Sequence, residues 1–201
     1  MEKYYSGELK QQEPKNKNIR KRQYICTQRS DIMTKSEINS MFSKCNNEEI
    51  AAIMAVMLMT GCRISEVLML KGKDVFTDEK NIYFNCYLLK KRKGIERLIK
   101  KIPKTHEYLE YFRKWVNSRY ITEEQFIFKT SRGYVWKAIK NINPEASPHL
   151  FRHTVATYLG KYLDIFTLQK WMGWSNLNMA SRYVHPKNII DAGSKAMGDI
   201  F

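Results

Sequence analysis

The sequence is short of acidic residues: 20 Asp and Glu stand against 35 Lys and Arg, giving a formal charge of +15 and a pI near 9.6. The apolar fraction is an ordinary 43%, so the chain folds and carries its excess charge outside, where a polyanion is the expected partner. A membrane surface is polyanionic too, but the chain lacks an apolar run near the roughly 20 residues that a spanning helix needs. Its longest run, Ile50 to Cys62, is bracketed by Glu48, Glu49 and Arg63 and reads as a buried core helix. The opening residues Met1-Glu2-Lys3-Tyr4-Tyr5 lack the apolar stretch of a secretory signal. Cys26, Cys45, Cys62 and Cys86 show neither CxxC spacing nor a regular framework, so reduced thiols in a cytoplasmic protein are expected. There is no P-loop and no obvious acidic metal cluster. No internal repeat and no low-complexity segment appears. The 201 residues suffice for one well-buried domain and a short arm.

Residues 1–30 hold Lys15, Lys17, Arg20, Lys21, Arg22 and Arg29 among Gln, Asn and Glu, with almost no aliphatic pattern. They read as a flexible basic arm, either a solvated tail or a strap along phosphates. Thr34-Lys35-Ser36-Glu37 has the form of a capping box and opens a helix through about Lys44. The buried helix starts near Asn47 and ends at Gly61, and a shorter one carrying Val67, Leu68 and Leu70 follows Arg63, which places Arg63 at a rigid turn between core helices. Ile82 to Leu89 and Ile95 to Ile102 are β-rich runs around Lys90-Lys91-Arg92-Lys93-Gly94, a hairpin with a basic tip. Leu109, Phe112, Trp115 and Val116 mark one further helix, and Val135, Ile139 and Ile142 another. Ser147-Pro148 fits an N-cap followed by proline at the first helical position, so His149, Arg152 and His153 lie on the opening turns of a helix through about Leu159. Helices are also expected at about Asp164 to Met172, Met179 to Val184 and Lys187 to Met197. The fold class is α+β, mainly α, with a small antiparallel hairpin packed on a helical core.

His149 and Arg152, three residues apart on a helix, point to one side and can reach the same anion. The free N–H groups and dipole of the first turn favour that anion. His149 and His153 have zinc-ligand spacing, but the intervening residue is not the glutamate of HExxH, and Arg152 would put a cation beside the metal. No metal site is expected, and His153 reads as a hydrogen-bonded inner histidine that steadies the helix.

Thr60-Gly61-Cys62-Arg63-Ile64-Ser65-Glu66-Val67-Leu68, Pro148-His149-Leu150-Phe151-Arg152-His153-Thr154, Met172-Gly173-Trp174-Ser175 and Arg182-Tyr183-Val184-His185-Pro186 occur in this order. Together they resemble the successive motif boxes of the tyrosine recombinases, or phage-type integrases, with archaeal and mobile-element members the most similar. The resemblance covers about residues 34–186 and implies a catalytic domain over 31–186. It implies that Arg63 and Arg152 grip the non-bridging oxygens of a scissile phosphate through forked, charge-assisted hydrogen bonds. His149 would donate to the same phosphate or take the phenol proton, and the Trp174 indole would donate as well, unless Trp174 is a core residue. Tyr183 would attack in line to form a 3′-phosphotyrosyl link, releasing a 5′-hydroxyl. A hairpin lysine would be the general acid; Lys90 best matches the position after the apolar strand end, with Lys91 and Lys93 as alternatives. Lys91, Arg92, Lys93 and the arm's Arg20, Lys21 and Arg22 are expected to bind DNA backbone. Glu66 would buttress Arg63 or cap its helix.

The implied activity is site-specific recombination of double-stranded DNA, without metal or ATP. The implied assembly is a homotetramer on two duplexes, monomeric or dimeric when free, in the cytoplasm with the nucleoid and aided by a DNA-bending protein. The alternatives are nicking and closing of the type IB topoisomerase kind, or DNA binding without cleavage. Residues 187–201 carry apolar residues at helical spacing, either for the chain's own core or for a neighbouring protomer. Most integrases place a helical DNA-binding domain ahead of the catalytic one. Here the arm stands in that place, as in short catalytic-domain-only members or a fragment.

Overall fold

A computed structural model describes residues 32–89 and 96–184 of the chain. Helix α1 (Lys35–Lys44) opens with the capping box its sequence announces: the Thr34 hydroxyl accepts the Glu37 N–H, and the Glu37 carboxylate accepts the Thr34 N–H at 2.7 Å. Helix α2 (Glu48–Thr60) starts at an Asn47 cap and is buried from Ile50 to Thr60, so it is the axis on which the other elements pack. It ends at Gly61, whose φ of 68° is left-handed. A side chain there would also press on the Met172 sulfur and a Val155 methyl, both 3.1 Å from an added Cβ. One residue of slack, Cys62, separates this stop from Arg63, the N-cap of the single turn α3 (Ile64–Val67).

A 3-10 turn at Gly72–Asp74 leads into β1 (Val75–Thr77), which joins β2 (Asn81–Leu88) and β3 (Glu96–Pro103) in an antiparallel sheet of order β1-β2-β3. The β2–β3 register runs from Asn81 opposite Pro103 to Leu88 opposite Glu96, which bears out the hairpin. The first strand was not expected, because three residues cannot display an alternation. On β2 the inward set is Ile82, Phe84, Cys86 and Leu88, buried in strict alternation.

Helix α4 (Leu109–Asn117) lays Leu109, Phe112 and Trp115 on α2, and α5 (Arg132–Ile142) adds Val135 and Ile139. Helix α6 (Pro148–Leu159) has its Ser147 cap and first-position proline as expected. Asp164 caps α7 (Ile165–Met172). The next helix is α8 (Leu177–Ala180), earlier and shorter than the expected Met179 to Val184, since the Asn176 side chain caps the Asn178 N–H at 2.8 Å and opens the turn there. Two apolar clusters result. The larger runs through α1 to α6 and the sheet; the smaller joins Ala156, Leu168, Met172, Trp174 and Ala180, with Tyr183 packed against it. Helix α6 contributes Phe151 and Val155 to the first and Ala156 to the second. The basic arm, the hairpin tip and residues 187–201 lie outside the described residues.

Candidate active site

The α2–α3 turn and α6 bring the two arginines onto one buried carboxylate. Glu66, with no exposed surface, accepts Arg63 Nη1 at 2.7 Å through Oε1 and the Arg63 backbone N–H at 2.7 Å through Oε2. Arg152 Nη1 stands 3.8 Å from the same Oε2. Arg152 also donates from Nη1 to the Gly61 carbonyl at 2.7 Å and from Nη2 to the Met172 carbonyl at 2.5 Å. Burial, followed by the like charge of Arg63, lowers its pKa to about 10, against the pull of Glu66. It therefore stays charged at neutral pH, and two cations around one carboxylate leave a surplus positive charge available to an anion. Arg63 is the more exposed of the two, with 19% of its side chain accessible against 9% for Arg152.

Tyr183 forms the other half. Its ring stacks on Trp174 with centroids 5.2 Å apart and planes within 14°, and the Arg152 guanidinium lies 5.6 Å over the same indole. The Tyr183 hydroxyl meets His153 Nδ1 at 2.9 Å, the two rings edge to face. Burial raises the phenol's pKa, while the charges of Arg152 and Arg182 oppose the rise. His149 is exposed on the first turn of α6, one turn ahead of His153 and three residues ahead of Arg152. The structure thus brings Arg63, Arg152, Trp174 and Tyr183 into one continuous set of contacts, and sets His149 at its solvent side on the helix that carries Arg152. Lys90, Lys91, Arg92 and Lys93, like Arg20, Lys21 and Arg22, lie outside the described residues. Among the described residues no group of three or more His, Cys, Asp or Glu is placed to hold a metal ion.

Two participants were missed or undervalued. His153, read from the sequence as a helix-steadying residue, is the described side chain that hydrogen-bonds the Tyr183 oxygen. Lys100 on β3 is only 2% exposed, with its ammonium 4.6 Å over the Trp171 ring. Burial lowers its pKa to about 8; the Cys62 and Cys86 thiols and Glu66 counter the shift, and Arg152 adds to it. The signal was present in the alternation of β3: Leu98, Lys100 and Ile102 share a face, and once Ile102 is inward Lys100 must follow.

The model of the phage integrase family matches residues 31–188. A tyrosine recombinase of Thermosipho africanus is 27% identical over 170 residues, covering 77% of this chain and 57% of the relative. The tyrosine recombinase XerH of Campylobacter jejuni is 25% identical over 179 residues, covering 79% of this chain and 49% of the relative. The chain thus spans about half the length of these relatives. Among solved structures, XerH bound to its difH substrate before cleavage shares the fold with a TM-score of 0.63 at 18% identity, over 82% of this chain and 53% of that one. The catalytic domain of the bacteriophage HP1 integrase does so with a TM-score of 0.57 at 20% identity, over 81% of this chain and 93% of that one.

Proposed function

The chain belongs to the phage integrase family, and from that premise we propose that it breaks and rejoins double-stranded DNA at specific sites through a 3′-phosphotyrosyl intermediate. The observation that carries the proposal is a tyrosine ring stacked on the same indole that Arg152 covers, with Arg152 and Arg63 around one buried carboxylate. Such a site accepts a phosphodiester, neutralises the charge that grows as phosphorus becomes pentacoordinate, and presents a nucleophile beside it. Arg63 and Arg152 grip the non-bridging oxygens, and His149 and the Trp174 indole donate to them. Tyr183 attacks, and Lys90 on the hairpin protonates the departing 5′-oxygen. The ester bond to Tyr183 conserves the energy of the broken strand, so rejoining requires neither nucleotide nor metal.

Lys91, Arg92, Lys93, Arg20, Lys21 and Arg22 are assigned to the DNA backbone, in keeping with the net charge of +15. The similar structures include XerH on difH and the Tn1549 integrase on circular intermediate DNA, which supports a duplex as partner. A tetramer on two duplexes is the assembly we assign. An apolar cavity of about 480 Å³ between Ile38, Leu58, Met59, Val155, Tyr158 and Trp171 offers a seat for residues 187–201 of a neighbouring protomer. Deleting those residues should abolish strand exchange and leave DNA binding.

The test uses nicked duplexes cut from the DNA flanking the gene, in which cleavage releases a short fragment and strands the enzyme on its product. Wild-type protein should give a covalent complex that survives denaturing electrophoresis and forms equally in EDTA. Tyr183→Phe should give none; a covalent complex with that variant would remove Tyr183 from the role.

A further inference from the structure

We propose that His153 is the catalytic base of the cleavage step, taking the proton of the Tyr183 hydroxyl as that oxygen attacks phosphorus. The assignment rests on the strand-breaking reading above and divides labour between the paired histidines of α6: His149 serves the phosphate, and His153 serves the nucleophile.

The geometry makes the division. His149 and His153 are one helical turn apart on the same side of α6: the first is exposed on the opening turn, and the second meets the phenol, with Nδ1 at 2.9 Å from its oxygen. The ring of Tyr183 is held on both sides of that contact, by the Trp174 stack and by the edge-to-face packing on His153, so the hydroxyl is aimed at the imidazole nitrogen. His153 itself is fixed by its place on α6, flanked by Arg152 and Thr154, whose side chains are buried.

The chemistry requires such a partner. A phenol ionises near pH 10 in water, and the burial of Tyr183 moves it further from ionising at neutral pH. Arg152 and Arg182 offset the burial in part, but a fixed positive charge cannot remove a proton. A neutral imidazole can, provided that Nε2 carries its hydrogen and Nδ1 presents a lone pair.

The step balances as follows. The O–H bond of Tyr183 breaks, and its proton passes to His153 Nδ1, which becomes imidazolium. The freed electron pair forms the O–P bond, the P–O5′ bond breaks, and the 5′-oxygen takes a proton from the hairpin lysine. In rejoining, the 5′-hydroxyl returns its proton to that lysine as its oxygen attacks phosphorus, the Tyr183 O–P bond breaks, and the leaving phenolate recovers its proton from His153.

Two measurements decide the matter. The first needs no DNA: nitrogen NMR of protein labelled with ¹⁵N in its imidazole rings should show His153 as the Nε2–H tautomer, with an Nδ1 resonance that shifts in Tyr183→Phe. A proton on Nδ1 in the wild type would mean that His153 donates to the phenol, and would overturn the proposal. The second is single-turnover cleavage of the nicked duplexes by His153→Gln, with folding checked by thermal unfolding and DNA binding. Its rate should fall about 100-fold or more, the usual contribution of a positioned base. The deficit should persist on a duplex with a 5′-bridging sulfur, whose thiolate leaves without an acid, whereas the same substrate should rescue Lys90→Ala. Recovery of His153→Gln on the sulfur substrate would place His153 at the leaving group, and a rate equal to wild type would give it no role; either overturns the proposal. Absence of any covalent complex with the wild type would overturn the strand-breaking reading itself, a result distinct from an active wild type indifferent to His153.

Discussion

The arginine half of the site and the tyrosine half are built on different foundations. Arg63 and Glu66 hang on the end of α2, whose residues from Ile50 to Thr60 are all buried in the larger cluster. Tyr183 and Trp174 rest on the smaller cluster, formed chiefly by α7 and α8, which has a few apolar side chains to hold it. Among the described residues, charge is therefore fixed to the more deeply packed cluster and the proposed nucleophile to the lighter one, where local opening costs less. Arg152 belongs to both, since one carbonyl it binds is that of Gly61 in the first half and the other that of Met172 in the second. The lesson is that the guanidinium we assign to the phosphate also ties the arginine half to the tyrosine half.

Removing that coupling should have the largest effect. Arg152→Ala leaves Glu66 short of a counter-charge and two carbonyls without their donor, and a loss of about 3–5 kcal/mol is expected from breaking a buried charged network. Hydrogen exchange should show α7 and α8 opening well before α2, and covalent trapping should vanish. If the two halves still unfold together in this variant, Arg152 is not the link.

The next effect lies under the arginine half. Lys100, with a pKa of about 8 against an ordinary 10.5, binds its proton more weakly folded than unfolded. The penalty is present in full below pH 8, falls as pH rises through the window to 10.5, and is gone above it. Lys100→Met should therefore add about 2–3 kcal/mol at pH 7 by linkage, and the difference from wild type should close by the upper end of that window. Denaturant unfolding at pH 7 and pH 10 reads both; a gain independent of pH would assign it to packing instead.

In the tyrosine half, Gly160 at the end of α6 packs directly against the backbone of Tyr183, and an added methyl would collide with the Tyr183 carbonyl. Gly160→Ala should cost about 1–3 kcal/mol, as overpacking does, and depress cleavage while DNA affinity stays at the wild-type value. Affinity falling with cleavage would show that the halves are not separable at this point. The smallest change in stability is expected for Trp174→Phe, which keeps a ring under Tyr183 and stays within about 1 kcal/mol of wild type. It loses the indole N–H, and single-turnover cleavage should drop about 100-fold, as when one donor to a developing anion is removed.

Legibility followed the same division. The arginine half could be read almost entirely from the sequence: Asn47 and Gly61 mark the ends of α2, and Ser147-Pro148 sets the phase of α6 and with it Arg152. Caps and stops are local, so a few adjacent residues determine them. The tyrosine half was less legible, because α8 is a single turn opened by an asparagine cap, and the Tyr183 backbone that follows it is set by packing against Gly160. The partner of Tyr183 lies thirty residues upstream, a contact that only the fold creates. Lys100 was concealed for another reason: a lysine in a basic stretch suggests solvent, and only the β2–β3 register turns it inward.

The clamp on Arg152 also has a consequence for handedness. The two non-bridging oxygens of a DNA phosphodiester are distinct, pro-Rp and pro-Sp, and a freely rotating cation would discriminate little between them. A guanidinium pinned between the Gly61 and Met172 carbonyls keeps its remaining N–H groups in one orientation, while Arg63 is held separately by Glu66. On the proposed phosphate binding the site would tell the two oxygens apart, and replacing one of them by sulfur should slow cleavage to different extents in the Rp and Sp diastereomers.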